Sequence, residues 1–404
     1  MQPSLTGAQT IVTPDQHVLS LNVQPHFFTL ADNFTRRYSF DGEGRLIGAF
    51  REGINYRRGL RGDVLRKQSL APGQKLRHML NQDERQNFLH EMVTHMSQLA
   101  GQLEASQQPE LNAWLERILA WDVPRLEAER ERFDAIYKPI SILPPDHYQA
   151  VVVQATEGCS WNRCTFCTLY HDRPFRIKGP TELCQHIHEV KGLLGHGMGL
   201  RNAIFLGDAN ALIIPQPRLR ELLEVVQREF ALGTGNRLRG IYAFLDIFGA
   251  ERKSVAAYRE LREAQVRRIY LGLETGDPEV FGLLNKPGSP AACVEVVQAI
   301  KAAGISVGVI LLAGAGGERL AAQHVANSLR IVGAMGLGEG DLVYLSPLMV
   351  PDESPYLAQL RDANSQPLDE QAIDVQLDLL KAGLKAHVDP ATKVVLYHLS
   401  EFIY

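Results

Sequence analysis

From residue 147 to residue 350, short apolar runs rich in β-branched residues alternate with longer amphipathic runs. The apolar runs predict strands and the amphipathic runs predict helices. The predicted strands span 150–155, 202–206, 239–245, 267–272, 305–312 and 341–345, and helices between them include 215–231, 249–264, 289–303 and 317–334. Strands joined by helical crossovers predict an α/β fold with a parallel sheet covered by helices. The pattern leaves a barrel and a doubly wound sheet equally open.

The first 145 residues follow a different pattern. Residues Tyr38–Phe50 predict two short strands around an Asp-Gly turn, and 81–105 and 110–137 predict helices. The pair Pro144-Pro145 marks a joint between regions. We therefore expect an N-terminal α+β accessory region (1–145), a core (146–350) and a short C-terminal extension (351–404). The extension contains one helix and a last apolar stretch, 394–399.

Composition narrows the class of protein. The chain has 404 residues and a net charge of −4, so its charge does not indicate a nucleic-acid partner. The longest uncharged run, 302–317, is too short to cross a membrane, and the first ten residues do not resemble a secretory signal. Five cysteines, three of them clustered, favour a reducing compartment over a disulfide framework. We expect a cytoplasmic protein without membrane contact.

Three cysteines stand within nine residues, with the spacing C-x4-C-x2-C. Cys159, Cys164 and Cys167 follow the first predicted strand, and their thiolates can converge on one soft-metal centre. A cubane iron–sulfur cluster held by three thiolates leaves one iron open. Two alternatives remain: a ferredoxin-type cluster completed by Cys184 or Cys293, and a zinc site completed by His171.

Other residues with chemical potential follow later strands. Gly207 and Asp208 follow the second strand, Glu274 the fourth, and a glycine-rich run (313–317) the fifth. Loops after the C-terminal ends of parallel strands share one face, so these residues are expected to meet the cysteines there. As alternatives, Glu274 pairs with Arg267 or Arg268, and the glycines serve only helix–strand packing.

Together these motifs resemble those of the radical S-adenosylmethionine (radical SAM) enzymes over residues 147–350. The resemblance implies a [4Fe–4S] cluster on the three cysteines, with the open iron binding the amino and carboxylate groups of S-adenosylmethionine (SAM). It implies that Phe166 packs beside the adenine. It also implies that Gly207 and Asp208, in place of the family's Gly-Gly-Glu stretch, receive the methionine amino group.

Two further segments carry the resemblance. Glu274 is similar to the polar residue that contacts the ribose or methionine part of SAM. The strand segment from Gly308 through Ile310 to Gly314 resembles the one whose backbone lies along the adenine. Residues 284–287, Leu-Asn-Lys-Pro, resemble an asparagine–lysine pair common in one large subgroup.

The resemblance favours a partial (βα)6 TIM-type barrel over a flat sheet. It implies an enzyme that reductively cleaves SAM to a 5′-deoxyadenosyl radical, acts on an unidentified substrate, and takes its electron from a donor such as flavodoxin or ferredoxin. The first cysteine gap is one residue longer than the family's commonest spacing, C-x3-C-x2-C. The alternatives are a non-catalytic iron–sulfur protein for electron transfer or sensing, and a zinc-stabilised nucleic-acid binder.

Two polar segments allow two interpretations each. Residues 170–178 follow the cysteines and are either an ordinary polar loop or part of the site. The basic stretch 51–67 is either a solvated face or a contact for an anionic substrate or RNA.

Overall fold

The computed structural model of the protein describes residues 7–12, 16–71, 74–103, 109–246 and 253–404. The chain divides into two compact units. Unit 1 holds the described part of Met1–Ile140 together with His188–Arg201 and Ser400–Tyr404, and unit 2 holds Ser141–Ile187 and Asn202–Leu399. The region boundaries expected at residues 145 and 350 stay predictions.

Unit 1 contains an antiparallel sheet whose eight strands pair in chain order. The strands are β1 Gly7–Val12, β2 Val18–Val23, β3 Phe27–Asp32, β4 Arg36–Asp41, β5 Leu46–Arg51, β6 Ile54–Arg58, β7 Val64–Ala71 and β8 Gln74–Met79. The predicted hairpin is present as β4 and β5, and six strands that we did not predict join it. In β2 and β3, every second residue is buried, which gives the sheet one apolar face.

Three helices follow this sheet: α1 Gln82–Leu103, α2 Pro109–Leu119 and α3 Val123–Ile136. The single helix expected over 110–137 is therefore two helices. Asp122 interrupts it, because its side chain caps the new helix by accepting a hydrogen bond from the Arg125 N–H (2.8 Å). Residues 104–105 of the first predicted helix lie outside the described residues.

The basic stretch 51–67 is largely paired within unit 1. Arg58 is buried and lies 3.8 Å from Glu129, while Arg61 donates a 2.7 Å hydrogen bond to Asp134. Lys67 donates to Glu401 over 2.6 Å. Carboxylates of the same unit therefore neutralise much of the charge that an anionic partner would need.

Unit 2 contains a seven-stranded parallel sheet. The described strands of unit 2, including two that lie outside this sheet, are β9 Val151–Gln154, β10 Thr156–Glu157, β11 Arg176–Ile177, β12 Ile204–Gly207, β13 Ile241–Phe244, β14 Val266–Glu274, β15 Ser306–Ala313, β16 Leu342–Pro347 and β17 Lys393–Leu396. The order is β9-β12-β13-β14-β15-β16-β17, and β10 and β11 form a separate two-stranded ribbon.

Each strand of this sheet pairs with the next one along the chain, without the reversal of order that a doubly wound sheet requires. This winding is that of a partial barrel, as predicted. All six predicted strands are present. A seventh, β17, comes from the final apolar stretch and pairs in parallel with β16.

The remaining helices are α4 Pro180–Leu194, α5 Gln216–Glu229, α6 Val255–Glu263, α7 Pro278–Leu283, α8 Pro290–Ala302, α9 Gly317–Gly333, α10 Pro355–Asp362 and α11 Glu370–His387. Residues 249–252 of the helix predicted over 249–264 lie outside the described residues. Side-chain caps by Ser254, Asp277 and Ser289 fix where α6, α7 and α8 begin. In the described part of the chain, no helix has both the length and the apolar character needed to span a bilayer.

Candidate active site

The three clustered cysteines lie on one loop of unit 2, the cysteine loop (158–175), between β10 and β11. Cys159, Cys164 and Cys167 are half-buried free thiols, and all three line a single cavity of about 400 Å³. The sulfur of Cys159 accepts a hydrogen bond from the Asn162 N–H (3.4 Å), which helps to curl the loop around it. The structure thus brings together the three predicted metal ligands.

Burial controls the protonation of these thiols. It raises the pKa of Cys164 to about 12 and that of Cys167 to about 11. The nearby ammonium of Lys286 opposes this rise at both sulfurs. The free thiols are therefore protonated at neutral pH, and a metal centre must displace those protons when it binds.

The cysteine loop is fastened to the segment between α7 and α8. Trp161 donates its indole N–H to the Asn285 carbonyl (2.9 Å), and the Thr165 hydroxyl donates to the Leu283 carbonyl (2.7 Å). In return, the Asn285 side-chain amide donates to the Arg163 carbonyl (2.7 Å). Asn285 has a left-handed backbone (φ 49°), a conformation that asparagine tolerates better than most residues. The asparagine of the 284–287 motif therefore holds the loop.

Lys286, the next residue, lies at the centre of a buried charge cluster. Its ammonium donates to the Glu274 carboxylate (3.3 Å), the Asp246 carboxylate (3.2 Å) and the Gly272 carbonyl (2.6 Å). Glu274 therefore pairs with Lys286. Arg268, one of its expected alternative partners, pairs instead with Asp146 (2.7 Å).

Burial also shifts the pKa values within this cluster. It raises the pKa of Glu274, and the charge of Lys286 works against that rise. Burial alone would lower the pKa of Lys286, but the two carboxylates outweigh it and hold the pKa above its usual value. Lys286 is therefore a permanent cation in the wall of the cavity.

Asp208 is turned toward the cysteine loop. Its carboxylate accepts hydrogen bonds from the Arg173 guanidinium (3.0 Å) and the Gly158 N–H (3.2 Å). Burial raises the pKa of Asp208 to about 6, although Arg173 pulls it down. Ala209, which follows β12, is among the described residues that line the cavity. Gly207 and Asp208 are not among them.

The β15 segment contributes side chains more than bare backbone. Ile310 and Leu312 line the cavity, whereas Gly308 and Gly314 are not among its described lining residues. A Cβ at Gly308 would run into the ring of Tyr270, so this glycine serves strand packing. Gly314 has φ 96° and donates its N–H to Gln376 (2.6 Å). The SAM contacts expected of these residues stay predictions.

The sequence did not point to much of the remaining cavity wall. Phe166 lines the cavity, and so does Asp246, which carried no motif. Further parts of the wall include Ile142, Phe244 and Leu245 at the end of β13, 346–351 at the end of β16 and beyond it, and Tyr397 and Leu399 after β17. Most of these residues are apolar, and position at the ends of parallel strands would have indicated all of them except Ile142.

The segment 170–178 supports the loop through hydrogen bonds. The Tyr170 carbonyl accepts from Asn162 (2.9 Å), and Lys178 pairs with Glu157. His171, the zinc ligand considered above, is exposed and lies outside the described lining of the cavity. Cys184 and Cys293, in α4 and α8, are not among the described lining residues either. The described residues of the wall therefore include no fourth cysteine and no histidine, and their two carboxylates, Asp246 and Glu274, are paired with Lys286.

A family model described as the Radical SAM superfamily matches residues 153–327, which include the cysteine loop, Glu274 and Lys286. Residues 153–327 therefore match the radical SAM superfamily. This match confirms the predicted family and, with the sheet order, the predicted fold class. The match to this superfamily implies a [4Fe–4S] cluster and SAM as cofactors, and radical SAM enzymes need a reductant.

Solved radical SAM structures are similar to the chain at a distance. Coproporphyrinogen III oxidase (HemN) from Escherichia coli has 15% identity and a TM-score of 0.43, covering 58% of this chain and 52% of its own. Methylornithine synthase (PylB) has 16% identity and a TM-score of 0.40, and the match covers 61% of this chain and 70% of the synthase. The hydrogenase maturase HydG from Carboxydothermus hydrogenoformans has 15% identity and a TM-score of 0.40, and the match covers 77% of this chain and 71% of the maturase.

The chain thus spans about half of the length of the first of these structures (52%). No curated protein sequence matches the chain. Likenesses this remote say nothing about the substrate of this radical SAM protein.

Proposed function

We propose that this protein cleaves SAM reductively at a [4Fe–4S] cluster held by Cys159, Cys164 and Cys167. One observation carries the proposal: the three thiols share a single cavity with the buried pair Glu274–Lys286. Three soft thiolates suit an iron–sulfur cluster and leave one iron for a small ligand. When bound, such a cluster supplies the electron that converts SAM into methionine and a 5′-deoxyadenosyl radical.

The residues of the chain position these cofactors and limit the access of water. We assign Phe166 and Ile310 to the adenine side of SAM, and Glu274 with Lys286 to its ribose or methionine part, because all four line the cavity. We also assign Gly207, Asp208, Gly308 and Gly314 to SAM binding, as the sequence predicts, and Asp208 in addition holds the cysteine loop through the Gly158 N–H.

The reductant is proposed to be a flavodoxin or a ferredoxin, and the compartment to be the cytoplasm. All five cysteines are free thiols, which supports a reducing environment. The proposed substrate contact is treated below.

The test is anaerobic reconstitution with iron and sulfide, followed by addition of dithionite and SAM. We expect about one cluster per chain and formation of 5′-deoxyadenosine. Alanine variants of Cys159, Cys164 or Cys167 should lose both. Cys184→Ser and Cys293→Ser are matched controls that should keep both, because these cysteines lie in α4 and α8 and are not among the described lining residues of the cavity.

Two outcomes would favour the alternatives. A complete cluster whose paramagnetic resonance spectrum does not change with SAM, and which yields no 5′-deoxyadenosine, indicates an electron-transfer or sensing protein. Zinc without inorganic sulfide in the purified protein indicates a structural metal site.

A further inference from the structure

The cavity of unit 2 has two chemically different sides. In the sheet order, β9 lies at one edge and β17 at the other, yet residues that follow both strands line the same cavity. The side near β9 carries the three thiols. The other side, near β16 and β17, is here called the apolar wall and consists of Leu348, Met349, Val350 and Leu399.

The charged side chains that line the cavity form ion pairs with one another. Among the described lining residues, only Asp246, Glu274 and Lys286 carry charge, and Lys286 donates to both carboxylates. A charged group that entered the cavity beside the apolar wall would lose its hydration without gaining an opposite charge. Such burial is unfavourable by several kcal/mol.

The polar capacity of this side is small. Its two side-chain hydroxyls belong to Ser346 and Tyr397, and both residues are buried. Ser346 donates to the Pro347 carbonyl (3.3 Å) and Tyr397 to the Leu143 carbonyl (3.4 Å). Because both hydroxyls already donate to protein carbonyls, they remain mainly as acceptors, and a ligand with few polar groups suits this side best.

We propose that the substrate presents an uncharged, largely apolar group, aliphatic or aromatic, to the apolar wall. Any charged part of the substrate stays outside the cavity. This inference rests on the proposed function, because it takes the space beside the cysteines as the place of reaction. Its test measures binding alone, so that it can fail independently of SAM cleavage.

The experiment uses three probes with the same ring system: 2-methoxynaphthalene, which is uncharged, 2-naphthoate, an anion, and 2-naphthylmethylammonium, a cation. Equilibrium dialysis against the anaerobic, reconstituted protein with SAM gives the affinity of each. We expect the uncharged probe to bind about tenfold or more tighter than either ion, a difference of about 1.4 kcal/mol.

Met349→Lys places a cation in the apolar wall at a side chain that is 53% exposed, so the fold should tolerate it. This variant should weaken binding of the uncharged probe and strengthen binding of 2-naphthoate several-fold. Leu379→Lys is the matched control, because Leu379 is 55% exposed on α11 of the same unit and is not among the described lining residues. Its affinities should equal those of the unchanged protein.

Three results overturn the proposal: equal or tighter binding of either ion, no binding of any probe, or an unchanged ratio of the affinities for 2-methoxynaphthalene and 2-naphthoate in Met349→Lys. Formation of 5′-deoxyadenosine, measured on the same preparations, reports on the proposed function separately.

Discussion

The guanidinium of Arg173 donates a 3.0 Å hydrogen bond to the carboxylate of Asp208, and both side chains are buried. The pair joins the cysteine loop to the end of β12. Because Asp208 also accepts from the Gly158 N–H, it holds the loop directly before Cys159. A residue at a motif position expected to bind cofactor therefore acts, in this structure, on the loop that carries the metal ligands.

Replacement of Asp208 by alanine should destabilise the fold by about 3–5 kcal/mol, because it strips a buried arginine of its buried partner. Asp172→Ala is the matched control: Asp172 pairs with the same guanidinium, but its side chain is 50% exposed. Its loss should cost at most about 1 kcal/mol. Urea unfolding of the two variants measures the difference, and equal losses would contradict the role of Asp208.

Removal of the cation at the centre of the buried charge cluster should abolish the reaction. Lys286→Met leaves Glu274 and Asp246 facing each other without a counter-charge, and the expected loss of stability is again about 3–5 kcal/mol. A second change, Glu274→Gln, should restore part of the stability but not the formation of 5′-deoxyadenosine. Lys385→Met, at an exposed position of α11, controls for the loss of a lysine. Full activity in Lys286→Met would refute the role assigned to the pair.

Asn285 should determine how firmly the cluster is held. Asn285→Gly removes the hydrogen bond to the Arg163 carbonyl and fits the left-handed backbone, whereas Asn285→Ala adds strain of about 1 kcal/mol. Both variants should lose iron to a chelator several-fold faster than the unchanged protein, followed by the decay of cluster absorbance. Both variants lose this hydrogen bond, and the added strain should make the alanine variant unfold more readily than the glycine variant. Unchanged iron loss in both would show that the bond does not secure the loop.

His324 should make stability depend on pH. Its ring is fully buried and its Nδ1 lies 2.7 Å from the Thr275 hydroxyl oxygen, and burial lowers its pKa to about 4. The unfolded chain binds a proton at this histidine below about pH 6.5, whereas the folded chain does so only near pH 4. Stability should therefore fall as the pH drops from about 6.5 to 4, by up to about 3 kcal/mol.

Comparison of urea unfolding at pH 7 and pH 5 tests this dependence. His324→Gln should be less sensitive to pH than the unchanged protein. Burial also lowers the pKa of His147 to about 4, so part of the pH dependence of stability should remain in both the unchanged protein and His324→Gln. His387→Gln, at an exposed position, should leave the slope as it is. A slope that His324→Gln does not reduce would show that this histidine is not the source.

The parallel sheet was predictable because its strands are buried on both faces and form continuous apolar runs, as in β9 and β12. The sheet of unit 1 was mostly missed because its strands bury only alternate residues. In β2, for example, serine and asparagine interrupt the valines and leucines. Such alternation is typical of a half-buried strand, so β2 was in principle predictable from the sequence.

Residues of the site were predictable where a sequence motif indicates their chemistry. Contacts that depend on how the chain packs were not predictable. The cysteine spacing pointed to the three thiols that line the cavity, and the resemblance drew attention to Asn285 and Lys286. No pattern in the sequence indicated that Lys286 would meet Asp246, which is forty residues away. Likewise, the role of Gly308 follows from the ring of Tyr270 beside it, a contact that only the folded sheet creates.

The position of β17 at the edge of the parallel sheet has a consequence for the cavity. Tyr397 and Leu399, which follow β17, line one side of the cavity, and β17 pairs in this sheet with β16 alone. A strand that is paired along one edge frays more readily than a strand that is paired along both. Fraying of β17 would therefore admit water at this side of the cavity.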